Sequence, residues 1–81
     1  MSRTMNPGRL YEFLVLSRLL SYSKAADTLY ISQSVLTKHI QELEKEMGCQ
    51  LLIRTTHGVA LTEAGRVLVK EAPGLINKCD S

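Results

Sequence analysis

Hydrophobic residues recur every three or four positions near the start of the chain, which predicts a first amphipathic helix. Asn6 is expected to be its N-cap and Pro7 its first helical residue, because proline lacks only an N–H that is unpaired there anyway. The inner face of this helix is predicted to consist of Leu10, Phe13, Leu14, Ser17 and Leu20. Ser21-Tyr22-Ser23 is expected to end it.

A short second helix is predicted over residues 24–29, with Ser23 as its N-cap. Its buried side is predicted to consist of Ala25, Ala26 and Leu29. Tyr30-Ile31 is expected to form a tight turn into the next helix. The two alanines suit a close crossing of helices, because a larger side chain there would push the following helix away.

The third helix is predicted to be longer and clearly two-faced. It spans about residues 32–47, with Ser32 as its N-cap and Gly48 in the left-handed position that often ends a helix. The apolar face is Leu36, Ile40, Leu43 and Met47. The opposite face is wholly polar and consists of Ser34, Thr37, Lys38, Gln41 and Lys45.

A β-hairpin and a last helix complete the predicted elements. Two short apolar runs, 50–54 and 59–61, flank Thr55-Thr56-His57-Gly58, a pattern typical of a hairpin. Thr62 is expected to cap the last helix, and Pro73-Gly74 to kink or end it. The apolar side of that helix is predicted to consist of Ala64, Val67, Leu68 and Leu75. The predicted fold class is mainly α with a small β-hairpin.

This order of elements is typical of a winged helix-turn-helix and favours DNA binding. A major groove about 12 Å wide admits one α-helix, whose short polar side chains can then meet the base edges. The candidates for such contacts are Gln33, Ser34, Thr37 and Lys38, in the first turns of the third helix. Taken alone, a polar stripe of this kind is more often only a solvated helix face.

The net charge of the chain says little about its partner, whereas the distribution of charge along the third helix says more. Ten Lys and Arg against eight acidic residues leave a formal net charge of +2, which does not by itself indicate a nucleic-acid partner. In the third helix, Lys38 and His39 lie in the first half, whereas Glu42, Glu44 and Glu46 crowd the second. A helix that enters the groove by its N-terminal end would keep those acids away from phosphates.

Several motifs together resemble the LysR-type transcriptional regulators. They include Leu10–Tyr11–Glu12–Phe13, Ser23–Lys24–Ala25–Ala26–Asp27–Thr28–Leu29, Ile31–Ser32–Gln33–Ser34, Arg54–Thr55 and Leu61–Thr62–Glu63–Ala64–Gly65. The resemblance extends over roughly residues 6–72 without an insertion. It implies a winged helix-turn-helix domain over residues 1–61 and the start of a linker helix over 62–81, through which two subunits pair.

The resemblance also implies a role for individual residues. Gln33, Ser34, Thr37 and Lys38 would contact bases in the major groove, and Ser32 and His39 the nearby backbone. Arg54 would support the wing, residues 50–61, at its phosphate side, and His57 at the wing tip would approach the minor groove. The expected partners are double-stranded DNA carrying an inverted-repeat operator, and a second copy of the chain.

The chain departs from the family pattern in several places. Ser34 stands where proline is frequent, Lys38 where arginine is common, and His57 where a wing arginine is frequent. Lysine is a point charge and reads guanine less specifically than the bidentate arginine fork. The large C-terminal effector-sensing domain usual in the family is absent from these 81 residues, so no small-molecule effector site is expected in them.

Other function classes find little support in the residues. An enzyme would need a nucleophile–base pair or a metal cluster. The sequence supplies neither, since its candidate residues are only His39 on a polar helix face, His57 in a loop and the two cysteines. No cofactor is expected. No apolar run approaches the roughly 20 residues of a membrane span, and a cytoplasmic protein is predicted. A winged helix used only for protein contacts is the main alternative, and the apolar stripe of the last helix could pack on the core rather than form a dimer seam.

Overall fold

The computed structural model describes the backbone of residues 7–77 and the side chains of residues 8–71. Its helices are α1 (Pro7–Leu19), α2 (Tyr22–Leu29), α3 (Gln33–Met47) and α4 (Glu63–Asn77). Strands β1 (Leu52–Thr55) and β2 (Gly58–Leu61) pair antiparallel, with Leu52 opposite Leu61 and Thr55 opposite Gly58. The predicted fold class, mainly helical with one hairpin, is confirmed. The predicted cap Asn6, Leu75 of the last helix and Cys79 lie outside the residues whose side chains are described.

The core lies between the first three helices and is closed by the base of the hairpin. Its buried residues are Leu10, Phe13, Leu16, Ala25, Ala26, Leu36, Ile40, Leu43, Leu51, Leu52 and Leu68. On α1 the third buried residue is Leu16, and the prediction that Leu20 belongs to this face is wrong. Leu20 lies beyond the end of the helix, has a positive φ of 50° and is 39% exposed.

The caps of α2 and α3 show how the helix-turn-helix is held. Ser21, not the predicted Ser23, caps α2, since its Oγ accepts a hydrogen bond from the Lys24 N–H at 3.1 Å. Ser32 caps α3 as predicted, accepting from the Val35 N–H at 3.1 Å. Ala25 and Ala26 are almost fully buried, as expected where two helices cross closely.

The hairpin begins two residues later than predicted because the residues before it serve another purpose. The carbonyl of Gln50 accepts the Thr62 hydroxyl at 2.7 Å, and the carbonyl of Leu51 accepts the Thr62 N–H at 3.0 Å. Thr62 also caps α4 as predicted, accepting from the Gly65 N–H at 3.0 Å. The start of α4 is therefore tied to the base of the hairpin.

The last helix continues past Pro73-Gly74 to Asn77, so of the two predicted outcomes, a kink or an end, the helix does not end there. Proline removes one N–H donor and bends a helix without requiring it to stop. On the described part of α4, Leu68 is buried and Ala64 is partly buried, whereas Val67 is 50% exposed. The apolar stripe of α4 therefore packs on the core only in part.

Candidate nucleic-acid interface

Helix α3 presents its polar face to solvent and buries its apolar face. Leu36, Ile40 and Leu43 are at most 1% exposed, which anchors the helix in the core. On the opposite side the exposed residues are Gln33, Ser34, Lys38, Gln41 and Lys45, with Thr37 partly buried beside them. None of these six side chains is apolar, and five of them are exposed to solvent.

The N-terminal end of α3 is rich in hydrogen-bonding groups. The hydroxyls of Ser32 and Ser34 lie 3.3 Å apart on the exposed surface, next to the exposed Gln33. The first N–H groups of a helix have no acceptor within the helix, and they carry the positive end of its dipole. This end therefore suits phosphate oxygens and base edges more than any other part of the helix.

His39 lies apart from the residues with which the sequence grouped it. Its Nδ1 is 2.7 Å from Glu12 Oε1 on α1, and the two side chains are only 21% and 16% exposed. The sequence placed His39 on a polar helix face, and the structure shows that its polar partner on that side is Glu12 of α1 and that the ring is largely covered. The contact of His39 with the DNA backbone remains a prediction. Nδ1 is paired with Glu12, so Nε2 is the ring nitrogen that could make this contact.

The acidic half of α3 has structural partners that the sequence did not reveal. Glu42 Oε1 accepts from Arg9 on α1, at 2.9 Å from Nη2 and 3.1 Å from Nε. Glu44 Oε2 accepts from the N–H groups of Leu51 and Leu52, at 2.8 and 3.2 Å. These two carboxylates link α3 to α1 and to the hairpin. They therefore have a structural role in addition to making the second half of α3 negatively charged.

The hairpin places Arg54 and His57 on the surface. Arg54 is exposed on β1, and its guanidinium carbon lies 5.2 Å from the centre of the Tyr22 ring on α2. His57 is exposed in the turn between the strands, where its N–H donates to Thr55 Oγ1 at 3.1 Å. Both predicted wing residues therefore lie on the surface of the hairpin, Arg54 on β1 opposite Val59 and His57 in the turn at its tip.

A cleft of about 150 Å³ separates α3 from the hairpin and joins two parts of the predicted site. Thr37 and Gln41 line it from α3, and Arg54 lines it from β1. Tyr22 also lines this cleft, although the sequence suggested only that it ends α1. Burial raises the pKa of the Tyr22 phenol, the Glu44 carboxylate raises it further, and the Arg54 charge opposes them. The phenol therefore stays neutral near physiological pH.

Features that would suit other kinds of site are lacking in the part of the chain that the structure describes. No group of three His, Cys, Asp or Glu side chains could hold a metal ion there. Cys49 is a free, exposed thiol. None of the helices within residues 7–77 is both long and apolar enough to cross a membrane.

Comparison with known proteins assigns the family. Residues 8–66 match the model of the bacterial regulatory helix-turn-helix proteins of the lysR family. The nitrogen assimilation regulatory protein nac of Klebsiella aerogenes is 41% identical over 76 residues, which are 94% of this chain and 25% of that protein. The HTH-type transcriptional regulator YofA of Bacillus velezensis is 42% identical over 72 residues, 89% of this chain and 25% of its own length. The chain thus spans about a quarter of these relatives.

Solved structures agree with this assignment. The BenM DNA-binding domain, in its complex with catB site 1 DNA, superimposes with a TM-score of 0.86 at 37% identity. The match covers 94% of this chain and 85% of that one. CbnR, a LysR family transcriptional regulator, gives a TM-score of 0.88 at 29% identity, over 94% of this chain and 26% of its own. Sequence, fold and comparisons agree, and the chain belongs to the lysR family of bacterial regulatory helix-turn-helix proteins.

Proposed function

We propose that this chain is the DNA-binding domain of a transcription regulator, that it binds double-stranded DNA sequence-specifically, and that it acts without catalysing a reaction. The observation that carries the proposal is the exposed polar face of α3, held by an apolar face that is at most 1% exposed at Leu36, Ile40 and Leu43. The similarity to the BenM DNA-binding domain, which was solved with bound DNA, supports it. A cytoplasmic location fits this function.

In the proposed complex, α3 enters the major groove and the hairpin lies beside the adjacent minor groove. Gln33, Ser34, Thr37 and Lys38 contact base edges from the first turns of α3. The DNA backbone is held by Ser32, His39 and Arg54, and the minor groove is approached by His57. Phosphate contacts supply most of the affinity and position the domain, while base contacts supply the selectivity.

Replacing Gln33 or Lys38 with alanine is expected to reduce discrimination between a specific and a random duplex. Each residue is proposed to make one or two base contacts. The ratio of the affinity for the specific duplex to that for the random duplex should therefore fall about tenfold per variant. The specific duplex would first be selected from a random pool with the wild-type chain. Fluorescence anisotropy titrations at one salt concentration would then give both affinities.

Lys45→Ala is the matched control for Lys38→Ala. It removes the same charge from the same exposed face, but at the C-terminal end of α3. We expect it to weaken binding to both duplexes alike and to leave their ratio unchanged. Equal ratios for wild type, Gln33→Ala and Lys38→Ala would show that α3 does not read the bases. Absence of binding to any duplex at low salt would favour a winged helix used only for protein contacts.

We further propose that residues 1–61 form the DNA-binding unit and that residues 62–81 begin a helix through which two copies pair. Two copies would place their α3 helices on the two halves of an inverted repeat. Support comes from the 50% exposure of Val67 on α4. A shallow groove with mostly apolar walls, lined by Leu61, Arg66, Val69 and Lys70, is a second feature of this part of the described fold that is open to solvent.

Val67→Glu is expected to lower the weight-average mass of the chain toward the monomer in sedimentation equilibrium, because it places a charge in the proposed seam. Val35→Glu is the matched control, since Val35 is 40% exposed on α3 and lies outside that seam. We expect a shift in the dimerisation constant of about tenfold or more for Val67→Glu alone, as for a charge forced into an apolar contact. A wild-type chain that is monomeric at all concentrations would exclude the seam for these residues.

A further inference from the structure

Arg54 and Tyr22 form a contact between the hairpin and α2 that the proposed function leaves unused. The guanidinium lies 5.2 Å from the ring centre, within the distance at which a cation is attracted by an aromatic face. Among the residues whose side chains are described, Arg54 has no hydrogen bond or ion pair through its guanidinium. All five of its N–H donors therefore remain free for a partner that offers oxygen atoms.

The ring of Tyr22 is anchored against the core, whereas Arg54 stands on an exposed strand. Tyr22 is only partly exposed and packs against the hydrophobic core. Its burial raises the pKa of the phenol, so the ring presents a neutral aromatic face. A long arginine side chain on an exposed strand otherwise samples many rotamers, and binding would have to order it.

The acidic side chain in the same cleft does not hold Arg54 instead of the ring. The Glu44 carboxylate lines this cleft, but its Oε2 already accepts the N–H groups of Leu51 and Leu52. Thr37 and Gln41 line the cleft from α3, as Glu44 does, and Arg54 lines it from β1. The guanidinium is thus held beside the polar face of α3, where a phosphate of a duplex docked on that face would come close.

We propose that Tyr22 is a positioning residue for DNA binding, whose ring holds the Arg54 guanidinium at the cleft between α3 and the hairpin to contact one backbone phosphate. This inference rests on the proposed function. Tyr22 acts through Arg54 and needs no contact of its own with DNA. Removal of the ring should therefore matter only while Arg54 is present.

The test is a double-mutant cycle on the 81-residue chain, with a random-sequence duplex because a phosphate contact carries no sequence information. Affinity is measured over a series of salt concentrations for wild type, Tyr22→Leu, Arg54→Gln and the double variant. Arg54→Gln should reduce the slope of log affinity against log salt by about 0.9, the loss of one phosphate contact. Tyr22→Leu should weaken binding about three- to fivefold and shift that slope in the same direction.

The decisive results are the coupling and the rescue. In the Arg54→Gln background, Tyr22→Leu should have no further effect, and Tyr22→Phe, which keeps the ring, should bind within about twofold of wild type. Tyr11→Leu makes the same change at an exposed tyrosine of α1 and should leave affinity and slope unchanged. Thermal unfolding of every variant separates these effects from loss of fold, because a purely structural role would not depend on Arg54.

Three outcomes would overturn the inference. They are equal losses with and without Arg54, an unchanged salt slope in Tyr22→Leu, and a Tyr22→Phe variant as weak as Tyr22→Leu. In each case wild-type binding would persist, and the proposed function would stand. A wild-type chain that binds no duplex at any salt concentration would overturn the proposed function together with this inference.

Discussion

Replacing Gly65 with alanine is expected to destabilise the domain by about 2–3 kcal/mol, although alanine is the better helix former. A Cβ at this position would overlap the backbone carbonyl oxygen of Leu51 and would lie 3.1 Å from Leu61 Cδ2. The carbonyl has little freedom to move, because it accepts the Thr62 N–H at 3.0 Å and belongs to a residue that is 1% exposed. The gain in helix propensity, about 1 kcal/mol, offsets only part of this overlap.

Urea unfolding followed by circular dichroism would measure the change in the free energy of unfolding. Gly48→Ala is the matched control, because Gly48 has a φ of 76° but a Cβ added there would meet no heavy atom within 4 Å. That variant should lose about 1 kcal/mol from backbone strain alone. A Gly65→Ala variant at least as stable as wild type would show that α4 does not approach the base of the hairpin so closely.

Replacing Glu44 with alanine is expected to cost about 2–3 kcal/mol of stability, because it removes the acceptor of two backbone N–H groups. Those groups belong to Leu51 and Leu52, which are 1% and 5% exposed. Water reaches this partly buried site only incompletely. The two N–H donors are therefore left without a full replacement for the hydrogen bonds that the carboxylate accepted. The same change detaches α3 from the base of the hairpin, and DNA affinity should therefore fall together with stability.

The control for this variant lies on the same helix. Glu46→Ala removes an exposed carboxylate for which the described residues supply no partner, and its stability should stay within about 0.5 kcal/mol of wild type. Glu44→Gln keeps an acceptor oxygen and should fall between wild type and Glu44→Ala. Equal stabilities for Glu44→Ala and Glu46→Ala in thermal and urea unfolding would contradict the assigned role.

The features of α3 were predictable because they depend on residues close together in the chain. A period of 3.6 residues identifies Leu36, Ile40 and Leu43 as the buried face. Ser32 and Gly48 are the residue types that caps require at the two ends. The structure confirms each of these assignments. Met47, at the end of the same face, is 38% exposed because the last turn extends beyond the core.

The predictions that were wrong concern positions where two nearby residues suit the same role equally well. Ser21 and Ser23 are both suitable N-caps, and the choice decides whether Tyr22 ends one helix or begins the next. Packing decides in favour of Ser21, since the ring of Tyr22 then reaches the core. Leu16 and Leu20 likewise both suit the inner face of α1 by their spacing. Only the end of the helix at Leu19 places Leu20 outside that face.

By itself the sequence determined the order of the elements, the two faces of α3 and the family, since each depends on local spacing and residue type. The tertiary structure alone decided which distant groups meet. It pairs His39 with Glu12, places the Glu44 carboxylate at the base of the hairpin and brings Arg54 over Tyr22. Such contacts depend on the angles and distances at which whole elements pack, and no periodicity along the chain encodes them.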